Sequence, residues 1–267
     1  MKWKESEIEE LWTNWHGAGQ RYSEDPCTFA RQELQFSPDA RQAEVLAAPM
    51  HRVLLCCSRQ WGKSTVSAIV ATHHLLNHPN AFVAVLCPVE RQAAELIRKV
   101  RGHLNKLGTK FRSDGIHRHS IQLTEGARMI AIPCVQESCR GLSEVTLLIV
   151  DEAAQVDDEV YDALRPSLAV SRGAIWLIST PFGKRGFFWE AWASQGAWNR
   201  IAVTARDCPR LCPEFVREEF ETRGERRYQQ EYECQFLDDA DSLFDVDLLL
   251  TNVTADFQPL EPRCFST

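Results

Sequence analysis

Short, unbroken apolar runs alternate with longer amphipathic stretches through the middle of the chain. Val53-Leu54-Leu55-Cys56, Phe82 to Cys87, Thr146 to Val150 and Ala174 to Ile178 are each too short for a helix and carry no polar face. They read as strands buried on both sides. Gly62 to Asn77 and Val89 to Leu107 predict helices, the second with Ala93, Leu96, Ile97, Val100 and Leu104 at helical spacing. A further helix is expected from Ser37-Pro38 to about Ala48, with Ser37 as its N-cap and Asp39 near the positive end of its dipole. Residues 110–133 read as short paired strands, on the alternation Ser120-Ile121-Gln122-Leu123. Residues 213–236 return to charged helix, and Trp3, Trp12 and Trp15 suggest an amphipathic helix near the start. Apolar strands separated by helices predict an α/β architecture with a mostly parallel central sheet covered on both faces. Ligands in such sheets bind at the carboxyl ends of the strands.

Composition narrows this only slightly. With 267 residues, the chain is long enough for one α/β domain with extensions. The divisions expected are a helical extension over 1–35, a core domain over 36–236 and a linker over 237–267. A net charge of -7 excludes a bulk basic field, so any nucleic-acid contact must use local patches or several subunits. The charged stretch Met1 to Glu10 does not read as a signal peptide, and no run reaches the length of a membrane span. A cytosolic protein is expected, its ten cysteines reduced. Cys208/Cys212 and Cys134/Cys139 lack a second pair at zinc-site spacing and read as small buried or loop thiols.

Chemistry concentrates where apolar runs end. Strand 53–56 leads into Cys57-Ser58-Arg59-Gln60-Trp61-Gly62-Lys63-Ser64-Thr65, close to the phosphate-loop pattern G-x-x-x-x-G-K-[ST], with Cys57 at the first glycine position. Gly62 lets backbone approach a phosphate, amides at the helix start point at the anion, Lys63 reaches the outer phosphates and Ser64 ligates Mg²⁺. An ordinary strand-to-helix turn can carry the same letters. A second apolar run ends in Asp151-Glu152, one carboxylate suited to holding Mg²⁺ and the next to activating water. Alone, such a pair also serves as a helix N-cap. Ser179-Thr180-Pro181 follows the next run and reads either as a γ-phosphate sensor or as a simple turn. Arg140-Gly141 precedes the acidic run and reads as a transition-state cation or a solvated loop arginine. Together these pieces predict a P-loop NTPase fold (RecA/ASCE-like, three layers) using ATP and Mg²⁺.

The same pieces, in the same order, resemble tailed-phage terminase large subunits. The variant loop Cys57 to Ser64, Phe36-Ser37-Pro38 with Arg41-Gln42, and Arg140-Gly141-Leu142 carry the likeness. So do Leu148 to Ala153, Ile178 to Pro181 with Gly183 and Gly186, Tyr228 to Tyr232, and Cys234-Gln235-Phe236. The resemblance implies an ATP-driven motor that moves double-stranded viral DNA into a procapsid. It implies a homo-oligomeric ring, usually pentameric, working with the portal protein and the terminase small subunit in the host cytoplasm. It implies that Gln42 reads adenine and that Arg59, Lys63 and Ser64 handle phosphates and metal. Asp151 would hold Mg²⁺, Glu152 would activate water, and Ser179 and Thr180 would couple hydrolysis to movement. Arg140 would act on a neighbour's ATP, while Ser58, Gln60, Trp61, Gly62 and Thr65 complete the nucleotide cradle. For DNA contact, Arg98, Lys99, Arg101, Lys184 and Arg185 are candidates. Full-length members also carry a C-terminal RNase H-like nuclease. The Asp238-Asp239-Ala240-Asp241 stretch, with Asp245 and Asp247, reads as an acidic linker, so no nuclease activity is expected of this polypeptide. Other readings are a different P-loop translocase or helicase-like ATPase, or an inactive prophage remnant. A helicase acting alone needs a second lobe for which the chain has no room.

Overall fold

The computed structural model describes residues 22–49 and 51–238. The tryptophan-bearing segment 1–21 and the acidic residues after Asp238 lie outside the described residues. Eight strands form one sheet in the order β3-β4-β5-β2-β6-β7-β1-β8. They are β1 (Arg52–Cys57), β2 (Phe82–Leu86), β3 (Phe111–Arg112), β4 (Ser120–Leu123), β5 (Arg128–Ile132), β6 (Leu147–Asp151), β7 (Ala174–Ser179) and β8 (Asn199–Val203). From β5 to β8 every pairing is parallel, and β3-β4-β5 form an antiparallel edge.

The apolar runs are continuous because both faces of these strands are covered. Val53, Leu55, Val83, Ile149 and Trp176 enter one core, and Leu54, Ala84, Leu148, Val150 and Leu177 enter the other. Helices α1 (Pro26–Gln32), α2 (Ala40–Ala47), α3 (Lys63–Asn77) and α4 (Glu90–Lys106) supply residues to the first. Helices α5 (Gln136–Cys139), α6 (Asp158–Leu164) and α7 (Gly186–Ala193) supply the second. The apolar face expected of 89–107 is the buried face of α4: Ala93, Leu96, Ile97, Val100 and Leu104.

Two expectations are corrected. Ser37 does not cap α2; Asp39 does, because its carboxylate accepts the Gln42 amide while the Gln42 side chain accepts the Asp39 amide, a reciprocal capping box. Residues 213–236 are not one helix but α8 (Pro213–Arg223) and α9 (Glu225–Glu231), followed by chain outside any helix. The break falls at Gly224, whose φ of 81° and ψ of 158° no helix accommodates. The apolar pattern does not announce β8, α1, α6 or α7, which are short or lack a clear period. The close of α7 depends on Arg200 of β8, whose guanidinium donates to the carbonyls of Ala191, Trp192 and Ser194.

Candidate nucleotide site

The sheet order places the chemistry. β7 lies between β1 and β6, with Cys56 opposite Ser179 and Asp151 opposite Ile178. The ends of the phosphate-loop strand and the acidic strand are therefore separated by one strand, which ends at Ser179 with Thr180 just beyond it. All three strands end on the same edge of the sheet because they are parallel.

The loop after β1 needs left-handed backbone at Gln60 (φ 62°) and Gly62 (φ 106°), but not at Cys57. Cys57 is fully buried and belongs to the apolar core, so the absent first glycine leaves no strain to explain. Gly62 is required twice over. Its φ is strained for other residues, and a Cβ there would lie 2.9 Å from Gln42 Nε2. The amides of Thr65 and Val66 already bond to the Gly62 carbonyl at 2.9 and 3.2 Å. Trp61 is wholly buried, so its part in a cradle is confined to its backbone. Ser58 is also buried, whereas Arg59 and Gln60 are exposed.

Lys63 reaches across to the acidic strand. Its Nζ lies 2.6 Å from Glu152 Oε1, and both side chains are mostly buried. The other Glu152 oxygen, Oε2, is buried without a hydrogen-bond partner among the described residues. Burial is the largest single influence on Lys63 and opposes its charge, but Cys57, Glu152 and Asp151 together outweigh it and raise the pKa. Asp151 is 4% exposed. Burial pushes its pKa up to about 6, against the pull of Lys63 and with the help of Glu152. Glu152 sits in left-handed backbone (φ 52°, ψ 43°), which turns the chain out of β6 into the 3₁₀ turn Ala153–Gln155. That turn is tied to β7, where Ser179 Oγ accepts the Ala154 amide at 3.2 Å.

The remaining expected residues fall in different places. Gln42 is 2% exposed and both ends of its amide are engaged: Oε1 accepts the Asp39 amide at 3.2 Å and Nε2 donates to the Trp61 carbonyl at 3.2 Å. Arg59 is paired with Glu231 of α9 through two contacts of 3.0 Å. Ser64 and Thr65 are half-buried at the start of α3, and Thr180 is buried beyond β7. Arg140 follows α5 in an exposed loop, and among the described residues its guanidinium has no ion-pair partner.

Of the basic candidates, Lys99 bonds Thr65 Oγ1 at 3.3 Å and Arg101 bonds the Ser120 carbonyl. Arg98 pairs with Glu95 and Lys184 with Asp238, while Arg185 lies over the Phe182 ring. Sequence reasoning missed Arg210 and Glu231, which touch the phosphate loop from 149 and 172 positions away. No local pattern announces contacts of that range.

A buried lysine at a helix start, paired with Glu152 and within the electrostatic reach of Asp151, has the chemistry of an anion site beside a cation site. The chain matches the family described as "Terminase large subunit, T4likevirus-type, N-terminal" over residues 54–251. The large terminase subunit of Thermus phage G20c is 25% identical over 175 residues, covering 58% of this chain and 36% of the relative. The chain thus spans little more than a third of the curated relatives it matches. The ATPase domain of the large terminase of Thermus phage P74-26 superposes with a TM-score of 0.68 at 19% identity, covering 78% of this chain and 97% of that one. The large terminase of another thermophilic bacteriophage, in complex with ATP-γ-S, gives 0.59 at 12% identity, covering 80% and 51%. The fold is that of the terminase ATPase domain, and the chain belongs to the terminase large subunit family, to whose N-terminal region it corresponds.

Proposed function

We propose that this chain binds and hydrolyses ATP with Mg²⁺ and that the hydrolysis drives double-stranded DNA into a viral procapsid. The observation that carries this reading is the contact of Lys63 with Glu152 at 2.6 Å, which joins the phosphate loop to the acidic strand end. The solved relative that holds ATP-γ-S supports the choice of nucleotide.

Each residue then has a task. Lys63 and the amides at the start of α3 take the outer phosphates. Drawing Lys63 onto phosphate releases Glu152, whose freed carboxylate accepts the proton of the attacking water. The unpartnered Glu152 Oε2 fits a site that acquires a further donor or cation when loaded. Ser64 and Asp151 would hold Mg²⁺, which supplies charge neutralisation on the phosphate oxygens when bound. Gln42 reads the base by exchanging its contacts with Trp61 and Asp39. Ser179 and Thr180, at and just beyond the end of the strand between the two halves, pass the loss of phosphate to the rest of the sheet. Arg59 either keeps Glu231 or turns to phosphate.

Arg140, exposed and without an ion pair among the described residues, is assigned to a neighbouring subunit's ATP in a homo-oligomeric ring, five-fold in the family's manner, at the portal and with the small subunit. Among the described residues no helix is long and apolar enough to cross a membrane; the place of work proposed is the host cytoplasm.

The test is ATP hydrolysis measured across protein concentration, with and without double-stranded DNA. Turnover should rise more steeply than linearly with concentration and vanish in Lys63→Ala. Arg140→Ala should bind ATP normally yet lose the concentration-dependent part. Linear turnover unaffected by Arg140→Ala would contradict the ring assignment.

A further inference from the structure

Helix α2 and the turn after β8 exchange reciprocal ion pairs. Arg41 Nε of the helix lies 3.3 Å from Asp207 Oδ1 of the turn, and Arg210 Nη1 of the turn lies 2.6 Å from Asp39 Oδ2 at the helix cap. Asp207 is itself held by the Thr204 amide and hydroxyl, so the turn is a built feature. The second Arg210 nitrogen, Nη2, donates to the carbonyl of Trp61 in the phosphate loop. Gln42 Nε2 donates to that same carbonyl at 3.2 Å. One phosphate-loop oxygen therefore carries two donors, one for each lone pair.

This redundancy matters when Gln42 has to move. A glutamine amide recognises adenine by accepting from its exocyclic amine while donating to a ring nitrogen. Both amide ends of Gln42 are occupied, by the Asp39 amide and the Trp61 carbonyl. Turning to a base would strip Trp61 of one donor and Asp39 of one acceptor beside a wholly buried indole. A buried carbonyl left with no donor is costly. Arg210 removes that cost at Trp61, since it bonds the Trp61 carbonyl independently of Gln42, and its bond to the Asp39 carboxylate holds the helix cap in place although it gives the Asp39 amide no acceptor.

We propose that Arg210 is a positioning residue for base selection: it holds the phosphate loop and the α2 cap in place while Gln42 transfers its amide to adenine. The inference rests on the ATP reading above, with Gln42 at the base. Without Arg210, Gln42 becomes, among the described residues, the sole side-chain donor to the Trp61 carbonyl and is retained there, so ATP loses more than a nucleotide that Gln42 does not read. A mere staple between α2 and the loop would weaken every nucleotide alike.

The experiment is equilibrium binding of ATP and GTP to wild type, Arg210→Ala, Arg210→Lys, Gln42→Ala and the double variant, each checked for folding by circular dichroism. Wild type should prefer ATP. In Arg210→Ala the ATP/GTP preference should fall about tenfold, the worth of one hydrogen bond. Arg210→Lys, which keeps a donor, should recover part of it and stays informative if the alanine variant does not fold. The double variant should show the same preference as Gln42→Ala alone. Equal weakening of ATP and GTP in both Arg210 variants, or independent losses in the double variant, would overturn the role of Arg210 while leaving the ATP reading intact. A wild type that binds ATP and GTP alike would overturn the inference together with the Gln42 assignment. A wild type that binds neither would overturn the ATP reading itself.

Discussion

Asp151 shows what burial asks of a single charged residue. A carboxylate with 4% exposure, its pKa pushed up to about 6 chiefly by burial, is held in its charged form above pH 6 at a cost to the fold. A folded pKa above the ordinary 3.8 means the stabilisation is complete below pH 3.8 and lost as pH rises through about 6. Asp151→Asn is therefore expected to melt about 2–4 °C above wild type at pH 8 in the absence of nucleotide, and to hydrolyse no ATP. Thermal melting at pH 8 and at pH 5 checks this, since the advantage should shrink at the lower pH.

Asp114 works in the opposite sense. Burial alone would raise its pKa, but the amides of His117 and Ile116, the His117 ring and the Ser120 hydroxyl bring it well below the ordinary range. Its contribution is present above pH 3.8 and lost as pH falls towards its folded value. The stability gap between wild type and Asp114→Asn in denaturant should narrow from pH 5 to pH 3.

At the scale of elements, the pairing of β7 between β1 and β6 does most of the organising, and its entry is tightly built. A Cβ on Gly173 would lie 2.2 Å from the Val145 carbonyl and 2.8 Å from Leu168, so backbone has to shift. Gly173→Ala should cost about 2–3 kcal/mol in denaturant unfolding. The tie between α9 and the phosphate loop is of another kind. Arg59 is 57% exposed, so its pair with Glu231 is worth at most about 1 kcal/mol. Glu231→Gln should leave the midpoint of unfolding nearly unchanged while tightening ATP binding, because Arg59 is freed for phosphate.

The central strands and both principal helices are legible in the sequence because their apolar patterns are local: a run covered on both faces, or one face of α4. The three motif strands are legible for the same reason, since Lys63, Asp151-Glu152 and Ser179 stand at or just beyond the ends of such runs. Local pattern also favours Asp39 over Ser37 as a cap, a signal that residue type alone overlooks: Gln42 stands three residues after Asp39, the capping-box spacing, whereas Ala40 stands three after Ser37. It cannot find Arg210 or Glu231, whose roles depend on where the end of the sheet folds back.

Taken as a whole molecule, the sheet places a phosphate loop and an acidic strand one strand apart, and the Lys63–Glu152 contact closes the gap. On the proposed function, that arrangement has one consequence above the others: Glu152 should be needed for the chemical step and not for holding the nucleotide. The direct measurement compares wild type with Glu152→Gln for ATP binding at equilibrium and for phosphate release under multiple turnover. The account predicts that the variant binds ATP at least as tightly as wild type, since Lys63 is no longer drawn to a carboxylate, and releases phosphate at least about a hundredfold more slowly, the size of a general-base contribution. A variant that releases phosphate at the wild-type rate would contradict the account.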